Sequence, residues 1–479
     1  MSFEDWLHPL LKVYMASPQW VKSSIGRLYA GIPPGIRHGK AYGQFARELA
    51  IRDPETLRQR AQAKLRETLY WAVETVPAYR DYASAVKSAA TVEQALAALP
   101  AVDKLDIKAD ESGFLSAAQP ASARMEMFTG GSTANPMRFY LQRGVTRPKE
   151  TAYIVDFDAR AGIRPGAVIL NLRGRTVPGA DKPDGAIWMY EPIRRHLILS
   201  SDHLEPVHMP RYVAALRQWR PEFIQAFPSA LYPLARWLAD HPAQDITGRI
   251  RAIQLTSENT YGFQLDLLRQ VFDCPVLMHY GHSERVLMAC TMPDDDRYFF
   301  WPLYGHLELL DAAGQPITAP GVLGEITGTS FDNRVMPFVR YRTGDFGMWS
   351  DKPGHPALPG YPVLERIEGR LQEFVVGADH RLISITTLGA AHFSELARAR
   401  AIQYEQHMPG HLLLNVVMEK PLNDAERAHI QSAVREKTQG SCEVEVREVA
   451  DIPRTGRGKH KMMLQHLDIR GYLGASAND

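Results

Sequence analysis

One segment of the chain has the hydrophobic pattern of a parallel β-sheet, and it constrains the fold more than any other feature. Residues 250–257 (IRAIQLTS) are predicted to be a buried strand, 264–272 (QLDLLRQVF) a helix, and 275–281 (PVLMHYG) a second strand. A strand–helix–strand order predicts two parallel strands joined by a right-handed crossover. The chain is therefore expected to contain an α/β domain.

The neighbouring segments predict that this domain is large and has several subdomains. Further helices are predicted at residues 55–76, 148–162, 210–220 and 229–240. Ser229 is predicted to cap the last of them, and residues 167–174 to form a buried strand. From 305 to 349 the pattern changes to successive strands separated by turn residues. We expect mixed sheets flanked by helices, together with a β-rich subdomain.

The C-terminal residues have the pattern of a separate, small α+β unit. Its predicted elements are a strand at 411–419, a helix at 425–438 and a strand at 443–449. Asn423 and Glu426 form the capping-box pattern at the start of the helix. A Gly/Pro-rich linker, 352–360, precedes the unit. We therefore divide the chain into an N-terminal domain, 1–369, and a C-terminal domain, 370–479.

Composition argues against several functional classes. The 479 residues include 55 lysines and arginines and 54 aspartates and glutamates, a balance that disfavours a general nucleic-acid binder. The three cysteines have neither zinc-ligand spacing nor the even number of a disulfide framework, as is typical of the reducing cytoplasm. No apolar run is long enough to predict a membrane span. The sequence is compatible with a monomer or a homodimer.

Residues 128–136 (FTGGSTANP) gather glycine, serine and threonine between two predicted strands, 125–128 and 137–142. Glycine lets backbone N–H groups approach a ligand, and with added hydroxyl groups such a loop can form a nest for phosphate. The alternative is an ordinary polar surface loop. The loop contains no lysine and leads to a strand rather than a helix, so it differs from the common P-loop. A phosphate site here would need partners from elsewhere in the chain.

Two short motifs offer such partners. YGHSE (280–284) directly follows a predicted strand, where an exposed carboxylate is well placed for a ligand, and Glu284 is a candidate for Mg²⁺. The alternative is an ion pair between Glu284 and Arg285. YRTGD (341–345) ends a strand and turns at Gly344. Asp345 can accept hydrogen bonds from two ribose hydroxyls, or it can simply cap the turn.

Two basic segments follow. RIEGR (366–370) places Arg366 and Arg370 beside a glycine, an arrangement that suits ribose or phosphate but is equally consistent with surface charge. PRTGRGKHKMM (453–463) is either a solvated basic loop or a segment that carries Lys459 into a distant site.

These five segments, in this order, resemble the motifs of the adenylate-forming superfamily, which includes acyl-CoA synthetases, nonribosomal adenylation domains and luciferases. YRTGD matches the family motif outright, while YGHSE and PRTGRGK are similar to theirs. Within the superfamily the chain most resembles phenylacetate–CoA ligases and the related capsular-polysaccharide-biosynthesis proteins. The resemblance extends over about residues 120–470.

The resemblance implies an AMP-forming carboxylate ligase that uses ATP, Mg²⁺ and CoA. A substrate carboxylate attacks the α-phosphorus of ATP, pyrophosphate leaves, and the acyl group passes from the adenylate to CoA. Transfer to an amine or a carrier protein is an alternative, and a nucleotide-binding scaffold without catalysis is another. In this family the small C-terminal domain rotates between the two steps, so residues 370–479 are expected to be mobile.

The resemblance also implies roles for individual residues. Lys459 and Arg370 would act on the carboxylate and the α-phosphate, and Glu284 would hold the metal. The nucleotide would contact Thr129, Gly130, Gly131, Ser132, Thr133, Tyr280, Ser283, Asp345 and Arg366. The acid would contact Ser257, Tyr261, Phe263 and His282. The two aromatic residues of this last set suggest a flat or aromatic acid, although aromatic residues are also common in an ordinary hydrophobic core. His282 is equally consistent with a structural role.

Two departures from the family pattern affect the site. Ala134-Asn135 stands where many members have Gly-Lys, so a cation that faces phosphate is missing and Arg138 or Arg143 would have to replace it. Gln372-Glu373 stands where the family often has Asp-Asp after Gly-Arg.

Overall fold

The computed structural model describes most of the chain. The described residues are 19–30, 32, 34–129, 137–174, 177, 185–201, 203–370, 373–388, 396, 399–418, 420–453 and 461–472. Among them, no α-helix combines the length and the apolar character needed to cross a membrane.

Helices of different lengths flank the strands. The α-helices of the described residues are α1 (Gln19–Ala30), α2 (Pro34–His38), α3 (Lys40–Leu49), α4 (Pro54–Thr75), α5 (Ala83–Ser88), α6 (Val92–Ala97), α7 (Lys104–Ala109), α8 (Thr146–Arg160), α9 (Met209–Trp219), α10 (Pro228–Asp240), α11 (Gln244–Thr247), α12 (Gly262–Phe272) and α13 (Asp424–Lys437). Short 3₁₀ helices cover Pro77–Tyr82, Ala121–Ala123, Pro206–His208, Ile385–Leu388 and Ile469–Tyr472. At the start of α4, the Asp53 side chain accepts a hydrogen bond from Thr56 N–H and Pro54 occupies the first helical position, both favourable.

The strands form four sheets within the described residues. The strands are β1 (Arg124–Phe128), β2 (Arg138–Gln142), β3 (Ile169–Leu172), β4 (Trp188–Glu191), β5 (His196–Leu199), β6 (Phe223–Ala226), β7 (Ala252–Thr256), β8 (Val276–Gly281), β9 (Met288–Met292), β10 (Asp295–Phe300), β11 (Gly305–Leu310), β12 (Leu323–Ser330), β13 (Tyr341–Trp349), β14 (Val363–Arg370), β15 (Phe374–Val376), β16 (Leu382–Ser384), β17 (Ala399–Met408), β18 (His411–Met418), β19 (Glu443–Glu448) and β20 (Met463–Gln465).

A twelve-stranded sheet forms the body of the molecule, with the order β11-β12-β13-β14-β10-β9-β8-β7-β6-β3-β5-β4. The run from β5 through β3, β6 and β7 to β8 is parallel. From β8 to β11 every neighbouring pair is antiparallel. The predicted β-rich segment is therefore continuous with the parallel sheet, and the change of strand direction falls at β8.

Both faces of the parallel strands are covered by helices. On one face Leu170, Ile224 and Ile253 belong to an apolar cluster that includes buried residues of α9, α10 and α12. The opposite face belongs to a second cluster that includes Tyr153 and Phe157 of α8. Helices on both faces are what a buried parallel sheet requires.

The other sheets are smaller. β1 and β2 form an antiparallel hairpin. Strands β15 and β16 pair with each other. The four-stranded sheet β19-β18-β17-β20 packs against α13, whose Ile430 and Val434 are completely buried.

The predicted α/β fold class and its strand–helix–strand unit are confirmed, since β7 and β8 are parallel neighbours on either side of α12. The capping box of Asn423 and Glu426 is present at α13. The predicted role of Ser229 is wrong. Helix α10 begins one residue earlier, and Glu258 serves its N-terminus by accepting hydrogen bonds from Ser229 N–H at 3.0 Å and from Ser229 Oγ at 2.9 Å.

Candidate functional site

The two acidic motifs meet near the carboxyl end of β8, although their strands are not neighbours. Three strands, β9, β10 and β14, lie between β8 and β13 in the sheet. In a flat sheet, strands four steps apart would be separated by about 19 Å, because adjacent strands lie about 4.8 Å apart. Direct side-chain contact between the motifs therefore requires this part of the sheet to curl strongly, as twisted antiparallel sheets can.

The contact between the motifs is reciprocal. Tyr280 of YGHSE donates a hydrogen bond from its hydroxyl to Oδ2 of Asp345 at 3.0 Å. Tyr341 of YRTGD donates from its hydroxyl to Oε1 of Glu284 at 2.9 Å. In each motif the tyrosine precedes the carboxylate by four residues, and each tyrosine holds the other motif's carboxylate. Hydrogen bonds to a charged acceptor are among the stronger ones in proteins, so this pair fixes both carboxylates.

Glu284 is more enclosed than the sequence suggested. Its exposed fraction is only 9%, whereas an exposed carboxylate was expected. The alternative of an ion pair with Arg285 is not what the structure contains, because the Arg285 guanidinium lies 3.7 Å from Glu150 instead. Burial, and then the adjoining Glu284 carboxylate, raise the pKa of Tyr341 well above its usual range, so this hydroxyl remains a donor.

Asp345 lies in a local turn within β13. Gly344 has a φ of 77°, a left-handed conformation that suits glycine, and its N–H donates to Glu325. The N–H of Asp345 donates to Thr343 Oγ1 at 3.1 Å. In the β13–β14 ladder, Asp345 is paired with Arg370. The register thus brings residues of the YRTGD and RIEGR motifs opposite each other.

The predicted phosphate loop starts from a well-defined base. Thr129 N–H donates to Met137 C=O, and Met137 N–H donates to Thr129 Oγ1, both at 2.9 Å. These bonds extend the β1–β2 hairpin by one pair and close the loop at its base. The predicted phosphate-binding residues Gly130, Gly131, Ser132 and Thr133 lie outside the described residues.

The two arginines considered as replacements for the missing cation both have partners outside the loop. Arg138 donates from Nε to Glu111 Oε2 at 2.9 Å and lies 3.6 Å from Glu126. Arg143 donates to the carbonyl of Arg124 at 3.2 Å. Both carboxylates beside Arg138 offset its charge, which makes this arginine a weak attractor for phosphate.

Of the remaining basic candidates, Arg366 and Arg370 belong to β14. Arg366 is paired with Glu368, which is buried. Arg370 is the last residue of β14, and only its backbone is described. Lys459 lies outside the described residues.

Two of the predicted acid-contacting residues lie at the ends of β7 and β8. Ser257 directly follows β7, is exposed and has a φ of 66°, an uncommon backbone conformation for serine. His282 directly follows β8, and its ring lies 5.8 Å from that of Tyr280. Ser283, between His282 and Glu284, is half-buried. His282 therefore adjoins the tyrosine that holds Asp345.

The two aromatic candidates have a different environment. Tyr261 is 9% exposed and belongs to an apolar cluster formed mainly by C-terminal residues such as Val375 and Ile385. Phe263 stacks on Tyr261 at 5.9 Å and also contacts Tyr232 edge-on at 5.3 Å. Tyr261 and Phe263 therefore form an apolar contact between the segment after β7 and the C-terminal residues.

The sequence motifs did not indicate a row of buried amides on the parallel sheet. Asn171, Gln225 and Gln254 are paired in register on β3, β6 and β7, and all are at most 8% exposed. The available signal was the presence of a polar residue in the middle of each of three otherwise apolar strands. Because the strands' register was unknown, the three positions could not be recognised as neighbours.

No family model matches the chain. Protein CapK of Staphylococcus aureus is 22% identical over 296 residues, which are 61% of this chain and 63% of CapK. The chain thus matches less than two thirds of the length of this curated relative.

Solved structures match over a larger part of the chain. A 2-hydroxyisobutyryl-CoA ligase in the postadenylation state, in complex with 2-HIB-AMP, has a TM-score of 0.63 and 17% identity over 86% of this chain and 90% of its own. The same enzyme in complex with 2-HIB-AMP and CoA in the thioesterification state has a TM-score of 0.51, over 86% and 90%. An ATP-bound RpMatB-BxBclM chimera has a TM-score of 0.50 and 15% identity over 72% and 68%. The chain has the fold of the adenylate-forming acyl-CoA ligases.

Proposed function

We propose that this chain is an AMP-forming carboxylate ligase that activates an organic acid with ATP and transfers the acyl group from the acyl-adenylate to CoA. The reciprocal tyrosine–carboxylate pair is the observation that carries the proposal. It holds Glu284 and Asp345 near the carboxyl end of β8, where ligands bind in open α/β sheets. One carboxylate suits a metal-bound phosphate and the other suits a ribose.

Asp345 is the ribose ligand in this proposal. Its carboxylate accepts hydrogen bonds from ribose hydroxyls while Tyr280 keeps it oriented. The β- and γ-phosphates lie in the loop that begins at Thr129 and includes Gly130, Gly131, Ser132 and Thr133. The hydrogen bonds between Thr129 and Met137 at the base of this loop support the assignment, because fixing the ends of a loop lowers the entropy lost on binding.

Glu284 fits the requirements of a Mg²⁺ ligand. Oε1 accepts the Tyr341 hydroxyl, and no described residue donates a hydrogen bond to Oε2. Mg²⁺ takes oxygen ligands and usually shares them with substrate phosphates. When bound there, the ion would offset phosphate charge during transfer. Tyr341 would keep the carboxylate oriented whether or not the ion is present.

Both reactants are anions, so electrostatic repulsion contributes strongly to the barrier. Lys459 is proposed to bring its ammonium group to the carboxylate and the α-phosphate, and Arg370 to orient the phosphate. Arg366 is proposed to contact the nucleotide as well. A preorganised positive charge stabilises the transition state without reorganisation of solvent. Rotation of residues 370–479 would then withdraw Lys459 and admit the acceptor, as in the family that the motifs resemble.

CoA is the acceptor that the comparisons favour. A solved structure with the same fold binds an acyl-AMP and CoA. Transfer to an amine or a carrier protein is the second candidate. These two outcomes share the adenylation step and differ only in the second.

Pyrophosphate release tests the proposal directly. The protein is incubated with MgATP and a panel of alkyl, aryl, hydroxy and amino acids, with and without CoA, and hydroxylamine is added to trap activated acyl groups. We expect acid-dependent pyrophosphate and hydroxamate, with formation of an acyl-CoA when CoA is present. Acyl-adenylate without any CoA product would favour an amine or carrier acceptor. Calorimetric binding of ATP without pyrophosphate release on any acid would contradict the proposal and favour a scaffold.

A further inference from the structure

Three side chains with metal-binding atoms lie together at one edge of the four-stranded C-terminal sheet. Glu405 and His407 belong to β17, and His466 directly follows β20. β17 and β20 are parallel neighbours, in which Gln406 is paired with Gln465. The next residue of each segment is a histidine, and His466 N–H donates to the Gln406 carbonyl at 3.0 Å. His407 and His466 are therefore neighbours across the two strands, and Glu405 lies two residues before His407 on the same side.

The donor atoms of these three side chains converge. Oε1 of Glu405 lies 2.8 Å from Nε2 of His407 and 3.1 Å from Nε2 of His466. One ligand atom of each residue lies within 4.8 Å of the ligand atoms of the other two. In a tetrahedral site with ligands about 2.0–2.1 Å from the ion, the ligand atoms are about 3.3 Å apart. Both oxygen–nitrogen separations are thus within about 0.5 Å of what a zinc-sized ion requires.

The two histidine rings can adjust to an ion between them. The rings stack with their centroids 4.1 Å apart and their planes inclined by 8°. Because the lone pair of a ring nitrogen lies in the plane of the ring, the rings must tilt toward each other before both can bind one ion. The side chains of His407 and His466 are 55% and 46% exposed. Little packing therefore opposes the tilt.

The donor set selects the class of ion. Imidazole nitrogen suits zinc, nickel and copper, whereas Mg²⁺ and Ca²⁺ prefer oxygen ligands. Two histidines and one glutamate are an established combination for zinc, with a water molecule in the fourth position. Hydrogen bonding alone is the alternative, since one carboxylate oxygen can accept from two N–H groups. Such contacts contribute little to stability when they are exposed, so they do not by themselves explain the cluster.

An ion at this position would join two strands that few other contacts connect. β20 has three residues, Met463–Gln465, and lies at the edge of the sheet as the structure describes it. It pairs with β17 alone, and Gln465 adds hydrogen bonds from Nε2 to the Phe374 carbonyl and to Gln406 Oε1. Short edge strands open easily. A metal bond to His466 would fix β20 directly after its last residue.

We propose that Glu405, His407 and His466 bind a divalent transition-metal ion of the zinc class, which clamps the end of β20 to β17. None of these residues belongs to the proposed reaction site, and the ion would bind there whether or not the chain is a ligase. This ion differs from the Mg²⁺ proposed at Glu284, because its site contains nitrogen ligands. The segment that carries Lys459 leads into β20, so the clamp also fixes one end of that segment.

Calorimetric titration of the full-length, tag-free protein tests for the ion. The protein is first stripped with a chelator and then titrated with Zn²⁺ in the absence of nucleotide, and separately with Mg²⁺. We expect one equivalent of Zn²⁺ to bind, with an affinity at least about 100-fold higher than that of Mg²⁺ at the same site. No binding of Zn²⁺, or equal affinity for the two ions, would overturn the proposal.

Variants of the ligands locate the ion. Glu405→Gln and His466→Ala should each weaken Zn²⁺ binding at least about 10-fold, since even partners outside the ligand shell change metal affinity by about 10- to 100-fold. Asp294→Asn is the matched control, because Asp294 also contacts a histidine, His355, at 3.2 Å. This control should bind Zn²⁺ as the wild-type protein does. Thermal unfolding in the presence of chelator confirms that each variant is folded. Unchanged affinity in the folded Glu405→Gln and His466→Ala proteins would contradict the site.

Hydrogen exchange tests the clamp. His466 N–H bonds to the Gln406 carbonyl and therefore reports opening of the segment at the end of β20. Zn²⁺ should slow its exchange at least about fivefold in the wild-type protein and have no effect in Glu405→Gln. Val449 N–H, which bonds to the Val416 carbonyl beyond the end of β19, should be unaffected in both. Zn²⁺ that binds without slowing exchange at His466 would overturn the clamp.

Discussion

The Tyr341 hydroxyl donates a 2.9 Å hydrogen bond to Oε1 of Glu284, and this bond ties the first residue of β13 to the turn after β8. The reverse bond from Tyr280 to Asp345 completes the connection. Neither carboxylate is positioned by its own motif alone. A change at one tyrosine should therefore affect the function of the other motif's carboxylate.

Tyr341→Phe is expected to slow adenylation without unfolding the protein. The substitution removes one hydrogen bond to a carboxylate, worth about 1.5–3 kcal/mol, and leaves the ring packing intact. If that energy serves to orient Glu284, kcat for pyrophosphate release should fall roughly 10- to 150-fold and the requirement for Mg²⁺ should rise. The measurement is pyrophosphate release as a function of Mg²⁺ concentration.

Tyr212→Phe is the matched control for this variant. The Tyr212 hydroxyl donates to the Ser200 carbonyl at 2.8 Å. Tyr212 is as buried as Tyr341 and belongs to the apolar cluster that includes α9, α10 and α12. Tyr212→Phe should lower thermal stability by a smaller amount, about 0.5–1.5 kcal/mol because its acceptor is neutral, while leaving pyrophosphate release unchanged. Equal activity of the Tyr341→Phe and wild-type proteins would show that the Glu284 contact is only structural.

Asp345→Asn is expected to weaken ATP use more than acid use. An amide retains one acceptor oxygen but loses the charge that strengthens two ribose hydrogen bonds. We expect KM for ATP to rise about 10-fold or more, since hydrogen bonds to charged groups are worth about 1.5–3 kcal/mol. Initial rates at varied ATP and at varied acid separate the two effects. An unchanged KM for ATP together with a raised KM for the acid would remove Asp345 from the nucleotide site.

Lys459→Ala is expected to separate the two half-reactions. Loss of a preorganised cation should reduce adenylate formation roughly 100- to 1000-fold, by analogy with removal of an oxyanion donor. Conversion of chemically synthesised acyl-adenylate and CoA to acyl-CoA should continue near the wild-type rate. Rapid-quench assays of each half-reaction provide the comparison. Normal pyrophosphate release by this variant would contradict the role of Lys459.

The sequence predicted individual elements well where local patterns determine them. The parallel pair β7–β8 and the capping box of Asn423 and Glu426 depend on short-range periodicity and local hydrogen bonds, and both are present. The cap of α10 was missed because Glu258 reaches it from another segment. Ser229 had the right residue type, but it lies within the first turn of α10 rather than before it, and its N–H donates to the longer side chain of Glu258.

The candidate site was only partly predictable for the same reason. YGHSE and YRTGD indicated Glu284 and Asp345 by their positions beside strands, yet the tyrosine cross-contacts depend on the curl of a sheet with three strands between them. The buried amides of Asn171 and Gln225 become neighbours only through strand register. Tyr261 and Phe263 were assigned to the acid because they lie near β7 in sequence; both pack beside C-terminal residues, and their contact with the acid stays a prediction.

Gly369→Ala is expected to destabilise the junction between β14 and the C-terminal residues. Gly369 has a φ of 87°, and an added Cβ would lie 1.8 Å from Asn259 Nδ2. The left-handed conformation costs a non-glycine residue about 1–2 kcal/mol, and overpacking adds about 1–3 kcal/mol. Thermal unfolding should show a lower midpoint for the variant.

Gly321→Ala is a control that separates these two contributions. Gly321 has a φ of 73°, but an added Cβ would meet no atom within 4 Å. Gly321→Ala should therefore show the conformational cost alone. The midpoint of its thermal unfolding should fall less than that of Gly369→Ala. Equal shifts would mean that Asn259 moves aside without cost.

Asp158 is expected to make stability depend on pH in the opposite sense to an ordinary surface carboxylate. Burial raises the pKa of this carboxyl to about 6, despite hydrogen bonds from Gln254 and Gln225. Between its unfolded pKa, about 4, and about 6, the native state binds more protons than the unfolded state, so stability falls as pH rises through this window. The loss is on the order of 1–3 kcal/mol and is complete above pH 6.

Asp158→Asn should remove this dependence, and denaturant unfolding from pH 4 to pH 7 measures it. The variant should gain stability relative to wild type as pH rises through the window. Asp245→Asn is the control of opposite sign, because hydrogen bonding with Arg217 lowers the pKa of Asp245 and its contribution is lost as pH falls. Two results together would contradict the raised pKa. They are a wild-type stability that rises steadily from pH 4 to pH 6, and an equal rise in the Asp158→Asn protein.

Acid-dependent exchange of labelled pyrophosphate into ATP is the most direct test of the central claim that Glu284 and Asp345 form one adenylation site. It reports adenylate formation alone and needs no knowledge of the acceptor. The account predicts exchange by the wild-type protein with at least one acid of the panel, and loss of at least about 100-fold in both Glu284→Gln and Asp345→Ala, by analogy with removal of other preorganised charge-stabilising groups. Exchange that persists at the wild-type rate in either variant, or its absence from the wild-type protein with every acid, would contradict the account.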